Sequence, residues 1–329
     1  MKRILKIVLL LTIFILAASF IIYESSFKIK EIDSLANSFL GEDEIKLTQL
    51  TLKKKASEGK RIEDSSEANW QWVYNQKKLY QSTTTEINLT LKELQQRFPN
   101  KDERLKALSI LRLDTPYQLG CLGEEAGRDK DPIFRLDVTD CTVFVLTNAA
   151  LLHSQTFKEA KEMMKFLNYR PEKNLETEKI EYKITFENRL HFTADRNIAS
   201  LYFQDITKKI AGSDRIKEKT VILNKIKADG NRLIDIDWEK EIVIEYIPNE
   251  YITKELFAES LKAIGIAFIK EGDEEIGLDV RHEGLLFNGN LLFHASSTQG
   301  KIVAVDFFDY YFRKDSNSRF DGVILFSVR

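Results

Sequence analysis

The stretch that decides the fold is residues 137–154, which read DVTDCTVFVLTNAALLHS. From about Cys141 to Leu152 this segment is apolar on every side, which predicts a helix buried in the core. The loop-forming residues 137–140 place Cys141 in the first turn of that helix. The positive end of the helix dipole and the free backbone N–H groups there stabilise a thiolate and can form part of an oxyanion hole.

The segments before this helix are mainly helical. Helical periodicity runs over residues 90–98 and again over residues 103–113, and Pro99-Asn100 breaks it. Residues 115–132, TPYQLGCLGEEAGRDKDP, are rich in glycine, proline and acidic residues, which predicts a loop directly before the buried helix.

Alternating segments dominate the C-terminal part of the chain. Residues 155–240 mix charged helical stretches with short strand-like runs, and five segments with period-two alternation follow. These five segments are residues 241–248, 278–287, 290–297, 301–312 and 321–328. Asn288-Gly289-Asn290 between two of them is the best hairpin turn in the chain. Helices followed by an antiparallel meander predict an α+β fold, with the helices packed on one face of the sheet.

The N-terminus differs in composition from the rest of the chain. Three basic residues precede an uncharged apolar run that ends at residue 23 and, as a helix, is about 25 Å long. We expect residues 1–23 to be a secretory signal or transmembrane signal-anchor, with cleavage left open, and the remainder to lie outside the cytoplasm. Residues 24–88 are polar and charged, and they are predicted to be a spacer with one helix around residues 68–81.

The charge balance excludes one class of partner. The chain has 49 basic and 51 acidic residues, a formal net charge of −2, and so lacks the excess of positive charge that binds phosphate backbones. No nucleic acid partner is expected. The 329 residues, 43% of them hydrophobic, are enough for a globular body with its own core.

The histidines and cysteines suggest a catalytic group. Two of the four histidines, His282 and His294, lie on the two strands of the predicted hairpin and share one face of the sheet. A base on one strand held by a polar ring on the next is the arrangement that a cysteine nucleophile needs. The alternative for Cys141 is a disulfide with Cys121, because an even number of cysteines outside the cytoplasm often forms such a bridge.

The motifs around these residues resemble those of the NlpC-type, papain-like cysteine peptidases and amidases. The resemblance rests on DCTVF before an apolar helix, on HEG in one strand and on HASS in a strand twelve residues later. More narrowly, five segments look like the N-acetylmuramoyl-L-alanine amidase-like branch. They are LGEEAGRDKDPIFRLDVTDCTVF, NRLHFTAD, EYIP, GLDVRHEGLLF and LFHASSTQGKIVAVDFFDYY, at residues 122–144, 188–195, 245–248, 277–287 and 292–311.

The resemblance implies a role for each matched catalytic position. Cys141 attacks the amide carbonyl, His282 takes its proton and later protonates the leaving amine, and His294 orients His282. Tyr117 helps to polarise the carbonyl, and Asp140 and Thr142 shape the substrate pocket. The chemistry is carried by side chains alone, so neither a metal nor an organic cofactor is implied.

The resemblance also implies an organisation and a substrate. It predicts a papain-like half-barrel over residues 89–329, in which residues 155–240 are an insertion between nucleophile and base. The expected reaction is hydrolysis of the amide between N-acetylmuramic acid and L-alanine in peptidoglycan of the cell envelope. Two alternatives stay open: cleavage between γ-D-glutamate and the diamino acid, and an inactive, membrane-anchored peptidoglycan-binding module.

Overall fold

A computed structural model of the protein describes residues 66–174, 176–258, 263–312 and 317–329. The chain divides into two units, residues 1–68 and residues 69–329, and the elements named here belong to the second unit. The predicted membrane segment and most of the predicted spacer lie outside the described residues. Over the ranges that are described, no helix is both long enough and apolar enough to cross a membrane.

Helices form the first half of this unit. Residues 69–75 are helical. The longer helices that follow are α1 (Thr84–Arg97), α2 (Lys101–Leu111), α3 (Cys141–Leu152) and α4 (Phe157–Asn168). Shorter helices are α5 (Thr193–Ala199), α6 (Thr207–Ala211), α7 (Lys254–Ala258) and α8 (Phe307–Tyr311). Single 3-10 turns occupy Leu79–Gln81, Phe186–Asn188, Ser213–Arg215, Asn249–Tyr251 and Asp273–Ile276.

Caps explain why α1 and α2 begin before the periodicity predicts. Thr83 and Glu86 form a capping box in which each side chain accepts a hydrogen bond from the other's backbone N–H. Asn100 caps α2 by accepting from the N–H groups of Asp102 and Glu103. Periodicity detects the apolar face of a helix, whereas the polar first turn is set by these caps.

The strands are antiparallel throughout. They are β1 (Pro171–Lys173), β2 (Ile180–Tyr182), β3 (Phe203–Asp205), β4 (Lys217–Leu223), β5 (Lys240–Pro248), β6 (Ala263–Ile269), β7 (His282–Phe287), β8 (Leu291–Ser296), β9 (Lys301–Asp306) and β10 (Gly322–Val328). β1 and β2 form a separate hairpin, and the others form one sheet in the order β4-β5-β10-β6-β7-β8-β9, with β3 paired to β10. The α+β class with an antiparallel C-terminal sheet is confirmed, while the papain-like half-barrel stays a prediction.

One predicted strand is wrong in its second half. Residues 301–312 alternate in hydrophobicity and were expected to be extended throughout, but β9 ends at Asp306 and α8 follows. The Asp306 side chain accepts hydrogen bonds from the N–H groups of Phe308 and Asp309, which starts a helix. Phe307 and Tyr311 then fall on one buried face of α8.

The core lies on both faces of the sheet, with α3 on one of them. All residues of α3 from Val143 to Leu152 are buried, and the helix packs against α2, α4, β7 and β8. The buried helix predicted from the sequence is therefore present. Val73, Leu79 and Ile87 belong to the same core cluster, so part of the predicted spacer is packed. The predicted domain start at residue 89 and the insertion over residues 155–240 stay predictions.

Candidate active site

Cys141 is the first residue of α3, and Asp140 holds the start of this helix in place. One oxygen of Asp140 accepts from the N–H of Val143 at 2.8 Å and caps the helix. The other oxygen accepts from the N–H of Gly120 at 2.8 Å and ties the preceding loop to the helix. The half-buried Cys141 is thus fixed between the loop and the helix.

The helix that begins with Cys141 packs against β7. Hydrogen bonding by the backbone N–H of Glu283 and by the Thr142 hydroxyl acts to lower the pKa of the Cys141 thiol. The registered pairs of β7 with β8 end at Leu285 and Phe293, so Glu283 lies beyond this ladder while it remains paired with Ala267 of β6. Burial, together with the carboxylate charges of Asp140 and Glu283, raises the pKa of Cys141 to about 12. At neutral pH the thiol is therefore protonated and needs a base.

The two histidines meet as the sequence predicts. His282 Nε2 lies 2.9 Å from His294 Nδ1, and the rings are nearly perpendicular, at 86°. Gly284 makes this approach feasible, since a Cβ there would lie 2.6 Å from the carbonyl oxygen of Phe293 and 3.1 Å from the Cβ of His294. The other ring nitrogen of His282, Nδ1, is left for a further partner.

Burial keeps both histidines neutral. It lowers the pKa of His282 to about 4, and the His282 ring stacks on Phe268 with centroids 5.7 Å apart. Burial, followed by the charge of His282, lowers the pKa of His294 to about 3. A neutral imidazole is the form that accepts a proton, so His282 is competent as a base at neutral pH.

The three residues predicted to bind substrate lie around the nucleophile. Tyr117 is near Cys141: burial raises the pKa of its phenol, and the charges of Cys141 and Asp140 add to that rise. Its backbone N–H donates to the carbonyl of Gly300 at 2.8 Å. Thr142 donates to the sulfur, and both oxygens of Asp140 are occupied by the chain's own N–H groups. The substrate roles of these residues stay predictions.

Two residues at the site were missed by sequence reasoning. The ring of Tyr310 in α8 lies 4.5 Å from that of His294 and 6.2 Å from that of His282. It was missed because its segment was interpreted as a strand. Glu283 is almost completely buried in β7. A carboxylate inside an otherwise apolar strand was the available signal, because such a group requires a buried partner.

Two further features of the site concern the second cysteine and metal binding. Cys121 and Cys141 are both free thiols. Burial raises the pKa of Cys121 to about 12, and its sulfur accepts a hydrogen bond from the N–H of Asp140. In the part of the chain that the structure describes, no three His, Cys, Asp or Glu side chains form a group able to hold a metal ion.

The fold is similar to those of solved bacterial proteins. A protein from Legionella pneumophila is 24% identical, with a TM-score of 0.58 over 75% of this chain and 97% of its own. An N-acetylmuramoyl-L-alanine amidase from Bacteroides uniformis is 22% identical, with a TM-score of 0.50 over 70% of this chain and 99% of its own. At these identities the likeness concerns the fold. No curated protein matches the chain significantly.

A family match covers most of the folded unit. Residues 107–317 match the family described as AmiA-like, N-acetylmuramoyl-L-alanine amidase-like. This range contains Cys141, His282 and His294 and extends over more than half of the chain. The chain therefore belongs to the AmiA-like family of N-acetylmuramoyl-L-alanine amidase-like proteins.

Proposed function

We propose that the protein is a cysteine amidase that hydrolyses the bond between N-acetylmuramic acid and L-alanine in peptidoglycan or its fragments. The observation that carries the proposal is the pairing of His282 with His294 at 2.9 Å on strands β7 and β8, against which the helix that begins with Cys141 packs. Membership of the amidase-like family supports the choice of substrate. The assignment to the NlpC-type, papain-like superfamily is part of the same proposal.

The hydrogen bond between the histidines sets the direction of proton transfer. For His282 to accept a proton at Nδ1, its own N–H must be at Nε2 and must donate to His294 Nδ1. His282 Nδ1 removes the proton from the Cys141 thiol while the sulfur forms a bond to the amide carbonyl carbon. The same proton then goes to the leaving amine as the C–N bond breaks. Water then attacks the resulting thioester while His282 again accepts the proton. As the C–S bond breaks and the carboxylic acid leaves, this proton returns to the Cys141 sulfur.

The start of α3 supplies a donor for the oxyanion. The N–H of Asp140 donates to Cys121, that of Val143 to Asp140, and that of Phe144 to the Asp140 carbonyl. The N–H of Cys141 has no protein acceptor among the described residues, which leaves it available at the positive end of the helix. An oxyanion formed on the attacked carbonyl would accept a hydrogen bond from this N–H. The positive end of the helix dipole would stabilise its negative charge.

The location of the substrate agrees with the N-terminal pattern. We place the folded unit on the extracytoplasmic side of the cell envelope, secreted or anchored by residues 1–23. This placement follows from the basic start and apolar run of that segment.

The experiment that tests the proposed bond uses two defined substrates. One is a muropeptide carrying L-alanine, γ-D-glutamate and a diamino acid, and the other is the same peptide without the sugar. Mass spectrometry of the products is expected to show a sugar with a free lactyl carboxylate and an intact peptide with a free L-alanine amine. The sugar-free peptide is expected to remain uncut, because it lacks the bond.

Each alternative has its own product pattern. Cleavage of both substrates between γ-D-glutamate and the diamino acid would make the protein an endopeptidase instead. Intact substrates after prolonged incubation with folded protein would support a binding module and contradict the amidase.

A further inference from the structure

A buried ion pair includes Glu283, the residue that follows His282 in β7. Arg196 of α5 donates to both carboxylate oxygens of Glu283 in β7, at 3.1 and 2.6 Å. The Thr193 hydroxyl adds a third hydrogen bond to this carboxylate, at 3.2 Å. Both side chains of the ion pair are only 1% exposed. The pair is therefore desolvated and has little freedom to rearrange.

Glu283 affects the pKa of the Cys141 thiol in two opposing ways. Hydrogen bonding by its backbone N–H lowers the pKa and favours the thiolate, whereas its carboxylate charge raises the pKa and disfavours the thiolate. The carboxylate of Asp140 acts in the same unfavourable sense. A thiolate at this position therefore depends on where the Glu283 carboxylate is held and on how far its charge is compensated.

Arg196 supplies that compensation from a rigid site. Its guanidinium lies over the rings of Phe203, at 4.7 Å, and Phe326, at 5.5 Å. This packing restricts the direction in which the guanidinium N–H groups can donate hydrogen bonds. Buried ion pairs are often no more stabilising than apolar residues of the same volume. Stability alone thus gives little reason for an ion pair at this place. Control of the charge state of the Cys141 thiol does give such a reason.

We propose that Arg196 and Glu283 are positioning residues for the nucleophile. Arg196 neutralises the Glu283 carboxylate, holds it away from the sulfur and fixes the Glu283 N–H against Cys141. The thiolate formed during attack is then stabilised by the N–H and is not repelled by an uncompensated anion. This inference rests on the proposed role of Cys141 as nucleophile.

The test measures the reactivity of Cys141 without any substrate. The full-length protein and its variants are alkylated with iodoacetamide at several pH values between about 7 and 10, where thiolate is the reacting form. Peptide mapping separates Cys141 from Cys121. The variants are Arg196→Met, Arg196→Lys, Glu283→Gln and the Arg196→Met/Glu283→Gln double variant.

A matched control is another arginine that forms an ion pair with a residue of α5. Arg170 pairs with Asp195 of α5, and Lys240 donates to the same carboxylate at 2.7 Å. Arg170→Met removes an arginine that pairs with α5 without touching Glu283 or the sulfur. A general loosening of α5 would affect this variant as well.

The expected changes in alkylation rate are opposite for Arg196 and Glu283. Arg196→Met is expected to slow alkylation of Cys141 about threefold to tenfold at a given pH. A rise of one pKa unit lowers the thiolate fraction tenfold, and the higher nucleophilicity of the more basic thiolate partly offsets this loss. Glu283→Gln is expected to accelerate it by a similar factor, and the double variant to remove the slowing. Arg196→Lys should restore most of the rate, and Arg170→Met should leave it unchanged.

Kinetics on muropeptides give a second readout. Arg196→Met is expected to lower kcat with KM little changed, because the pair acts on the nucleophile and not on substrate binding. If Arg196→Met does not fold, Glu283→Gln and Arg196→Lys still decide the question. Wild-type alkylation rates in Glu283→Gln and in every folded Arg196 variant would overturn the inference.

The outcome is separable from the proposed function. Alkylation reports the thiol even if no muropeptide is cut, so a failed hydrolysis assay leaves the ion-pair result interpretable. Conversely, Cys141-dependent hydrolysis together with unchanged alkylation rates would contradict the positioning role alone.

Discussion

Replacing His282 with alanine is expected to lower kcat/KM for muropeptide hydrolysis about 100- to 10,000-fold, the range for loss of a general base. The reason is the protonated state of the nucleophile: with its pKa raised to about 12, Cys141 has almost no thiolate at neutral pH without a base. His282 offers Nδ1 as that base, because Nε2 is engaged by His294 at 2.9 Å. The measurement is steady-state kinetics on a defined muropeptide near pH 7.

His191 provides a matched control for this substitution. It is also largely buried, but its Nε2 contacts the carbonyl of Phe186 at 2.7 Å and not the catalytic group. His191→Ala is expected to retain activity within a few-fold. His294→Ala should fall between the two variants, since it removes the orienting partner but leaves the base. Wild-type activity in folded His282→Ala would contradict the base assignment.

Acid is expected to destabilise the protein through the same histidine. The pKa of His282 is 6.5 without burial and about 4 in the folded protein, so between these values the unfolded chain binds a proton that the folded chain does not. The free energy of unfolding therefore falls as the pH drops from 6.5 towards 4. For His282 alone the fall is about 3 kcal/mol, at 1.36 kcal/mol per pKa unit.

Comparison with a variant isolates this contribution. Urea denaturation of the wild type and of His282→Gln near pH 7 and near pH 4.5 gives the difference in stability at each pH. The wild type is expected to lose most of the 3 kcal/mol relative to the variant at the lower pH. The carboxyls of Asp140, Asp205 and Asp279 have raised pKa values and act in the opposite direction, but they are common to both proteins. A pH-independent difference would contradict the assignment of a buried, neutral His282.

The helical part of the fold was predictable because its signals are local. The uniformly apolar run after Cys141 indicated the bounds and the burial of α3, and Pro99-Asn100 marked the break between two helices. The hairpin was equally local, since Asn288 and Gly289 both have positive φ, at 51° and 74°, as its turn requires. Each of these features depends on a few neighbouring residues.

The features that were missed depend on tertiary contacts. β6 is central in the sheet, between β10 and β7, but residues 263–269 are apolar on both faces and show no alternation that distinguishes a strand. α8 was hidden because its aromatic residues also suit a strand, and only the Asp306 cap separates the two.

The site shows the same division between features with a local signal and features that depend on tertiary contacts. The order Cys141, His282, His294 was readable along the chain, as was the sharing of one face by the two histidines. The partner of Glu283 was not readable, because Arg196 lies 87 residues away in α5. Tyr310 reaches the histidines only because β9 gives way to a helix at Asp306.

The most direct test of the central claim compares the two cysteines as alanine variants on one defined muropeptide, with products identified by mass spectrometry. Cys121→Ala, once shown to be folded, is expected to release the same sugar and peptide as the wild type at a rate within a few-fold. Cys141→Ala is expected to lose at least about 1,000-fold in rate, as for removal of a nucleophile. Release of the same products by Cys141→Ala at the wild-type rate would contradict the account.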